Sequence, residues 1–209
     1  MHRVIWTILC SPKNQVVLRK NFKIKDLGEL RYFLGIKFAR SNEGILMHQR
    51  KYSLELISDM GLAGARPLGA LVELNQKLTN SEFDAYVGSS SDRPLEDPSS
   101  YQRLIGRMLY LTITRPDIAF DVQCLSQFIH APKASHMEEA IRVVRYVKQA
   151  SGLGILMLSH NSPTLQASCD ADWASYPNTI NSITGYLIKF GDFLISWRSK
   201  KLGISLNCG

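Results

Sequence analysis

Neither an Asp-Asp pair nor a Cys-x-x-Cys pair occurs in these 209 residues, and no glutamate follows Glu139. Cys10, Cys124, Cys169 and Cys208 stand far apart, outside any zinc-site spacing, and are expected to be reduced structural thiols. After Glu139 the only acids are Asp170, Asp172 and Asp192. No segment approaches eighteen consecutive apolar residues, which excludes a hydrophobic membrane-spanning helix. The apolar run Val4 to Leu9 is too short for the core of a secretory signal. An intracellular soluble protein of open compartment is the expectation. No internal repeat is visible.

What is present is a moderately basic chain with enough apolar residues for a real core. Its 45% hydrophobic content excludes disorder over most of the length, and 25 Lys and Arg against 18 Asp and Glu give a net charge of +7. Residues 1–60 hold 11 basic and 5 acidic side chains, and a second basic stretch runs from 101 to 150. A polyanionic partner is favoured over an acidic small molecule.

Hydrophobic periodicity divides the chain. Tyr32 to Gln49 reads as a β-hairpin turning at Ser41 to Gly44. Leu54, Ile57 and Met60 then repeat at helical spacing up to Gly61. Residues 75–100, rich in Ser, Asp, Asn and Pro, are expected to form a mobile acidic linker. Three helices should follow. The first carries Tyr101, Leu104, Ile105, Met108 and Leu111 on one stripe. Pro116 opens the second, with Ile118, Val122, Leu125 and Ile129 inward. Ser135 and Glu138 offer a capping box to the third, which runs to Gly152. From Gly152 the pattern turns to strands, with a tight hairpin at Gly191-Asp192.

Several residues are candidates for chemistry. If Thr164 to Asp172 is a strand, its period of two aims Asp170 and Asp172 at one face, as a Mg²⁺ site for phosphodiester hydrolysis would begin; a polar strand end is the alternative. Tyr32 and Phe33 beside Arg31, Lys37 and Arg40 put aromatic and basic groups on one hairpin, the pairing that single-stranded nucleic acid selects, although core packing serves equally. Arg142, Arg145 and Lys148 form a row on one helix face, either a solvated surface or a phosphate-tracking stripe. His130 and His136 could form a metal pair but have no third ligand close by in sequence, so structural or capping roles are expected; Trp173 and Trp197 could stack bases, with core packing the expected role.

Four stretches taken together, FKIKDLGELRYFLGIKF, YQRLIGRMLYLTITRPDIAFDVQCLSQFIHAPKASH, RVVRYVKQASGLGI and CDADWA with ITGYLIKFGDFLISWRSKK, resemble the C-terminal half of the Pol polyprotein of copia-type LTR retrotransposons. The order is the family's, and the stretches span residues 21 to 202. The resemblance implies an α+β chain. Residues 1–20 stay unassigned, and 21–50 correspond to a primer-grip-like β-hairpin following the polymerase palm. Residues 51–160 correspond to a helical thumb/connection-like region, and 161–209 to an incomplete ribonuclease H-like β-sheet of the first three strands. It further implies that Asp170 matches the first ribonuclease H carboxylate and Asp172 its companion. The intact family enzyme uses Mg²⁺ for RNA-directed DNA synthesis and for cleaving RNA in RNA–DNA hybrids. This sequence departs from the pattern: Thr179 to Ile183 replace the family's basic stretch, and Ser199-Lys200-Lys201 is not followed by the family's glutamate. The chain is therefore expected to be catalytically incomplete, to hold no Mg²⁺ stably, and to associate through an exposed sheet. The alternative is a non-catalytic relic that binds nucleic acid weakly and without sequence preference.

Overall fold

The computed structural model describes residues 29–71, 78–88, 92–159, 164–172 and 182–202. The first sheet orders its strands β1 (Tyr32–Phe33), β2 (Ile36–Arg40), β3 (Gly44–His48) and β4 (Gly154–Leu158), all antiparallel. The turn between β2 and β3 falls at Ser41 to Gly44, closed by mutual backbone hydrogen bonds of 2.9 and 3.3 Å. β4, more than a hundred residues away, completes the sheet by pairing Gly44 with Leu158 and Gly154 with His48. Both glycines are demanded by that approach, since a Cβ at either would overlap a carbonyl oxygen of the facing strand, Met157 or Met47.

The helices are α1 (Arg50–Asp59), α2 (Ser81–Val87), α3 (Pro98–Leu111), α4 (Ala119–Ser126) and α5 (Ala134–Gln149), with a 3₁₀ turn over Pro116–Ile118 before α4. The α3 stripe of Tyr101, Leu104, Ile105, Met108 and Leu111 is buried against Ile118, Val122 and Leu125 and against Val143, Val144 and Val147 of α5. Tyr101 reconciles its phenol with that core by donating to the Leu125 carbonyl at 2.8 Å. Ile36, Phe38, Met47, Ile155 and Met157 form a second cluster on the inner face of the first sheet.

One expectation about this region is corrected, the cap of α5. Within residues 75–100, expected as a mobile acidic linker, the described residues include α2 and two aspartates that meet Lys133. Its ammonium contacts Asp84 at 2.6 Å, Thr79 at 3.0 Å and Asp92 at 3.3 Å while almost fully buried. Asp84 and Asp92 together neutralise this one buried cation. The Ser135–Glu138 capping box is replaced: α5 starts one residue earlier, and His136 Nδ1 accepts the Lys133 backbone N–H at 3.1 Å. The Ser135 hydroxyl donates instead to Asp92 at 2.6 Å.

The second sheet is an antiparallel meander of β5 (Leu165–Asp172), β6 (Ser182–Phe190) and β7 (Phe193–Leu202). Leu165 and Leu187 are exposed, whereas Phe193 and Trp197 pack on the second cluster beside Met157, so the helical layer and first sheet cover part of this sheet. Trp197 also donates its indole N–H to the Thr112 carbonyl at 2.9 Å, a core role. Trp173 and residues 1–28 lie outside the described residues.

Candidate functional site

The hairpin carries the aromatic and basic candidates outward. Tyr32 pairs with Lys37 across β1 and β2, and Lys37 pairs with His48 across β2 and β3, so the three form one cross-strand row. The row is on the opposite face from buried Ile36 and Phe38, because alternate residues of a strand point to opposite sides. Tyr32 is 58% and Phe33 45% exposed, and Arg31 and Lys37 are exposed beside them. Arg40, at the far end of β2, approaches Glu29 at 3.8 Å. His48 was not singled out in the sequence; the strand alternation that puts Lys37 outside carries it out too. Burial, then the charges of Lys37 and Arg50, lower its pKa, so the imidazole is neutral at pH 7.

The hairpin tip is held from behind. Leu34 and Gly35 both adopt left-handed backbone, φ +47° and +74°, as a two-residue turn between twisted strands requires. The Tyr110 hydroxyl of α3 donates to the Leu34 carbonyl, and Tyr110 packs edge-on against Tyr52, over whose ring Arg107 lies at 5.5 Å.

Asp170 occupies a separate place. It pairs with Gly185, which pairs with Ser199; one step along, Ser168 pairs with Leu187 and Leu187 with Trp197. Residues two apart share a face, so Asp170, Ser168, Ser199 and Trp197 look toward the helices. There a cleft of about 290 Å³ opens, with Gly185 in its floor and Pro116, Ala119 and Phe120 in the opposite wall. Phe120 was missed as a site residue, though it falls off the inward stripe Ile118, Val122, Leu125 and is 42% exposed. The Asp172 backbone pairs with Ile183, but its side chain lies outside the described residues. Among the described residues no three carboxylate, imidazole or thiolate groups gather as metal ligands.

The basic row on α5 makes intramolecular contacts. Lys148 donates to the carbonyls of Leu62, Ala63 and Ala65 at 2.6 to 3.0 Å, Arg145 donates to the Arg66 carbonyl at 2.9 Å, and Arg142 approaches Glu139 at 3.5 Å. The row therefore straps the segment after α1 onto α5. His136 caps and stacks on Phe128, while His130 is exposed on the connecting loop. No helix among the described residues is long and apolar enough to cross a membrane.

The chain is 36% identical over 184 residues to the retrovirus-related Pol polyprotein from transposon RE1 of Arabidopsis thaliana, covering 88% of this chain and 12% of that polyprotein. It is 30% identical over 189 residues to the retrovirus-related Pol polyprotein from transposon TNT 1-94 of Nicotiana tabacum, covering 88% of this chain and 14% of the relative. An uncharacterised mitochondrial protein of Arabidopsis thaliana is 34% identical over 184 residues, 72% of its own length. No family model matches the chain, and no solved structure matches it.

Proposed function

Given that this chain belongs to the copia-type retrovirus-related Pol polyproteins of transposons, we propose that it is the part of such a polyprotein that grips nucleic acid and begins the ribonuclease H fold. It spans about an eighth of the length of the transposon polyproteins it matches, so polymerisation and hybrid cleavage belong to this proposal and not to the comparison. The observation that carries the reading is the outward row Tyr32, Lys37 and His48 across three strands, with Phe33 and Arg31 exposed on the opposite side of the same short strand segment. Aromatic faces stack bases whatever their sequence, and the cations track phosphates. The hairpin acts as a primer grip, α1 to α5 as the thumb and connection, and β5 to β7 as the first ribonuclease H strands.

Taken by itself the chain binds without cutting. Two-metal hydrolysis needs carboxylates converging on the scissile phosphate. Asp170 offers one, and no Asp-Asp pair or later glutamate occurs in this sequence. Asp170, with Asp172 as companion, would hold Mg²⁺ only with carboxylates from outside these 209 residues.

The test is fluorescence anisotropy with a labelled RNA–DNA hybrid and with its single strands, at two salt concentrations, alongside a hybrid-cleavage assay in Mg²⁺. Micromolar binding that weakens steeply with salt is expected, with no cleavage. Tyr32→Ala and Phe33→Ala should each weaken single-strand binding about 5-fold or more, as loss of one stacked base implies. Salt-indifferent binding, or no binding at low salt, refutes the proposal. Cleavage that disappears in Asp170→Asn refutes the non-cutting part.

A further inference from the structure

β5 is the outer strand of the second sheet, and among the described residues it pairs with β6 alone. Every residue from Leu165 to Asp170 is exposed, Leu165 by 66%. A bare edge strand presents a row of open backbone donors and acceptors, which is a template for another strand. The usual safeguards are missing from this stretch. LQASCD has no proline and no lysine, its one charge is Asp170 at the end, and its ladder to β6 runs without a bulge.

The ladder decides which groups face outward. Gly191 donates its backbone N–H to the Thr164 carbonyl at 2.7 Å. Along an antiparallel pair, residues that exchange bonds with the neighbour alternate with residues that turn theirs away, so Thr164, Gln166, Ser168 and Asp170 bond toward β6. Leu165, Ala167, Cys169 and Ala171 therefore turn N–H and C=O to the open side. The side chains of Leu165 and Cys169 share an apolar face with their β6 partners Phe190 and Tyr186, and all four are exposed.

We propose that this edge pairs with the same edge of a second copy of the chain, antiparallel, about a two-fold axis at Ser168. Leu165 then faces the partner's Ala171 and Ala167 faces the partner's Cys169, so outward donors meet outward acceptors at each bonded pair. Gln166 faces the partner's Asp170, an amide against a carboxylate. A centre at Asp170 would set two carboxylates opposite each other, and a centre at Cys169 would leave Leu165 without a partner. Ser168 is the centre that uses the whole strand and opposes no like charges. A strand complementary to itself in this way is what an isologous contact requires, and the product is one continuous six-stranded sheet. The dimer forms without nucleic acid. An edge of this length buries little, so the contact belongs to the transient class below about 1,200 Å².

Sedimentation velocity of the full chain should show mainly monomer at about 1 μM and mainly dimer at about 500 μM. Ala167→Pro removes an outward N–H and no bond to β6, so a chain that keeps its circular dichroism should associate at least about 10-fold more weakly. In a second arm, Cys10, Cys124, Cys169 and Cys208 are replaced by serine and one cysteine is placed on β5. Ser168→Cys should give a disulfide-linked dimer with oxidised glutathione, because Cα atoms facing each other at such a pair lie about 4.5 Å apart. Gln166→Cys should not, since its counterpart in the partner lies more than about 13 Å away along the strand. This arm reports the register even where proline unfolds the sheet. Monomer at every concentration, a dimer indifferent to Ala167→Pro, or linking through Gln166→Cys in preference to Ser168→Cys overturns the proposal. Growth beyond the dimer overturns it as well, since a closed two-fold contact stops at two copies.

Discussion

At the scale of single residues, two buried titratable groups oppose each other. His136 is fully buried, accepts a backbone N–H on Nδ1, approaches the Thr79 carbonyl at 3.2 Å through Nε2, and stacks on Phe128. Burial, then the Lys133 charge, lowers its pKa from 6.5 to about 4. It therefore contributes stability that is present above 6.5 and is lost as pH falls to 4, about 3 kcal/mol in all. Asp121, buried near Asp117 and Glu139, is raised from 3.8 to about 6, chiefly by desolvation. Its contribution has the other sign: it is present below 3.8 and is lost as pH rises through 6, again about 3 kcal/mol. The windows overlap, so the two effects nearly cancel in the intact chain. Asp84, which its hydrogen bond from Lys133 holds below the ordinary carboxylate value, adds loss only under still more acid conditions. Denaturant titrations between pH 6.5 and 4 should thus find the wild type nearly level, Asp121→Asn losing about 3 kcal/mol and His136→Gln gaining on the same descent. A level profile in both variants rejects the paired assignment.

At the scale of elements, the hairpin tip is the place where local preference and tertiary need disagree. A leucine in left-handed backbone costs about 1 to 2 kcal/mol, because its Cβ crowds the following carbonyl. Leu34 sits there, half exposed, while Tyr110 holds its carbonyl. Leu34→Asn, which tolerates that backbone and removes little buried surface, should raise the unfolding free energy by about 1 kcal/mol in a urea titration. A loss of stability would mean that the leucine side chain carries more packing than its exposure implies. The start of α5 shows the reverse case. Ser135 and Glu138 have the spacing of a capping box, yet Asp92, forty-three residues earlier, draws the Ser135 hydroxyl away and leaves the cap to His136.

At the scale of the molecule, stability is unevenly spread. The cluster that joins α1, α3, α4 and α5 holds fourteen buried residues, most of them fully inaccessible. Burying one large apolar side chain contributes roughly 1.5 to 3 kcal/mol, so this cluster dominates the fold. β5 is exposed along residues 165 to 170, whereas β7 leans on the rest of the protein through Phe193 and Trp197. Hydrogen exchange should be slowest in α3 and α5, intermediate in β7 and fastest in β5. Protection of β5 equal to that of α3 in a monomer would show that the second sheet is cooperative with the core.

What the sequence determined by itself was periodic. The α3 stripe from Tyr101 to Leu111, the hairpin turn at Ser41 to Gly44 and the strands after Gly152 follow from spacing, since a buried face imposes its own period on neighbouring residues. The resemblance to copia-type Pol polyproteins was likewise legible from motifs in order. Only the tertiary structure decided which distant groups meet. It placed β4 against β3, tied Lys133 to Asp84 and Asp92, turned Arg145 and Lys148 onto the carbonyls after α1, and set Phe120 opposite Asp170. Such pairings rest on donors, acceptors and charges many residues apart, whose energies depend on burial and geometry that periodicity does not encode.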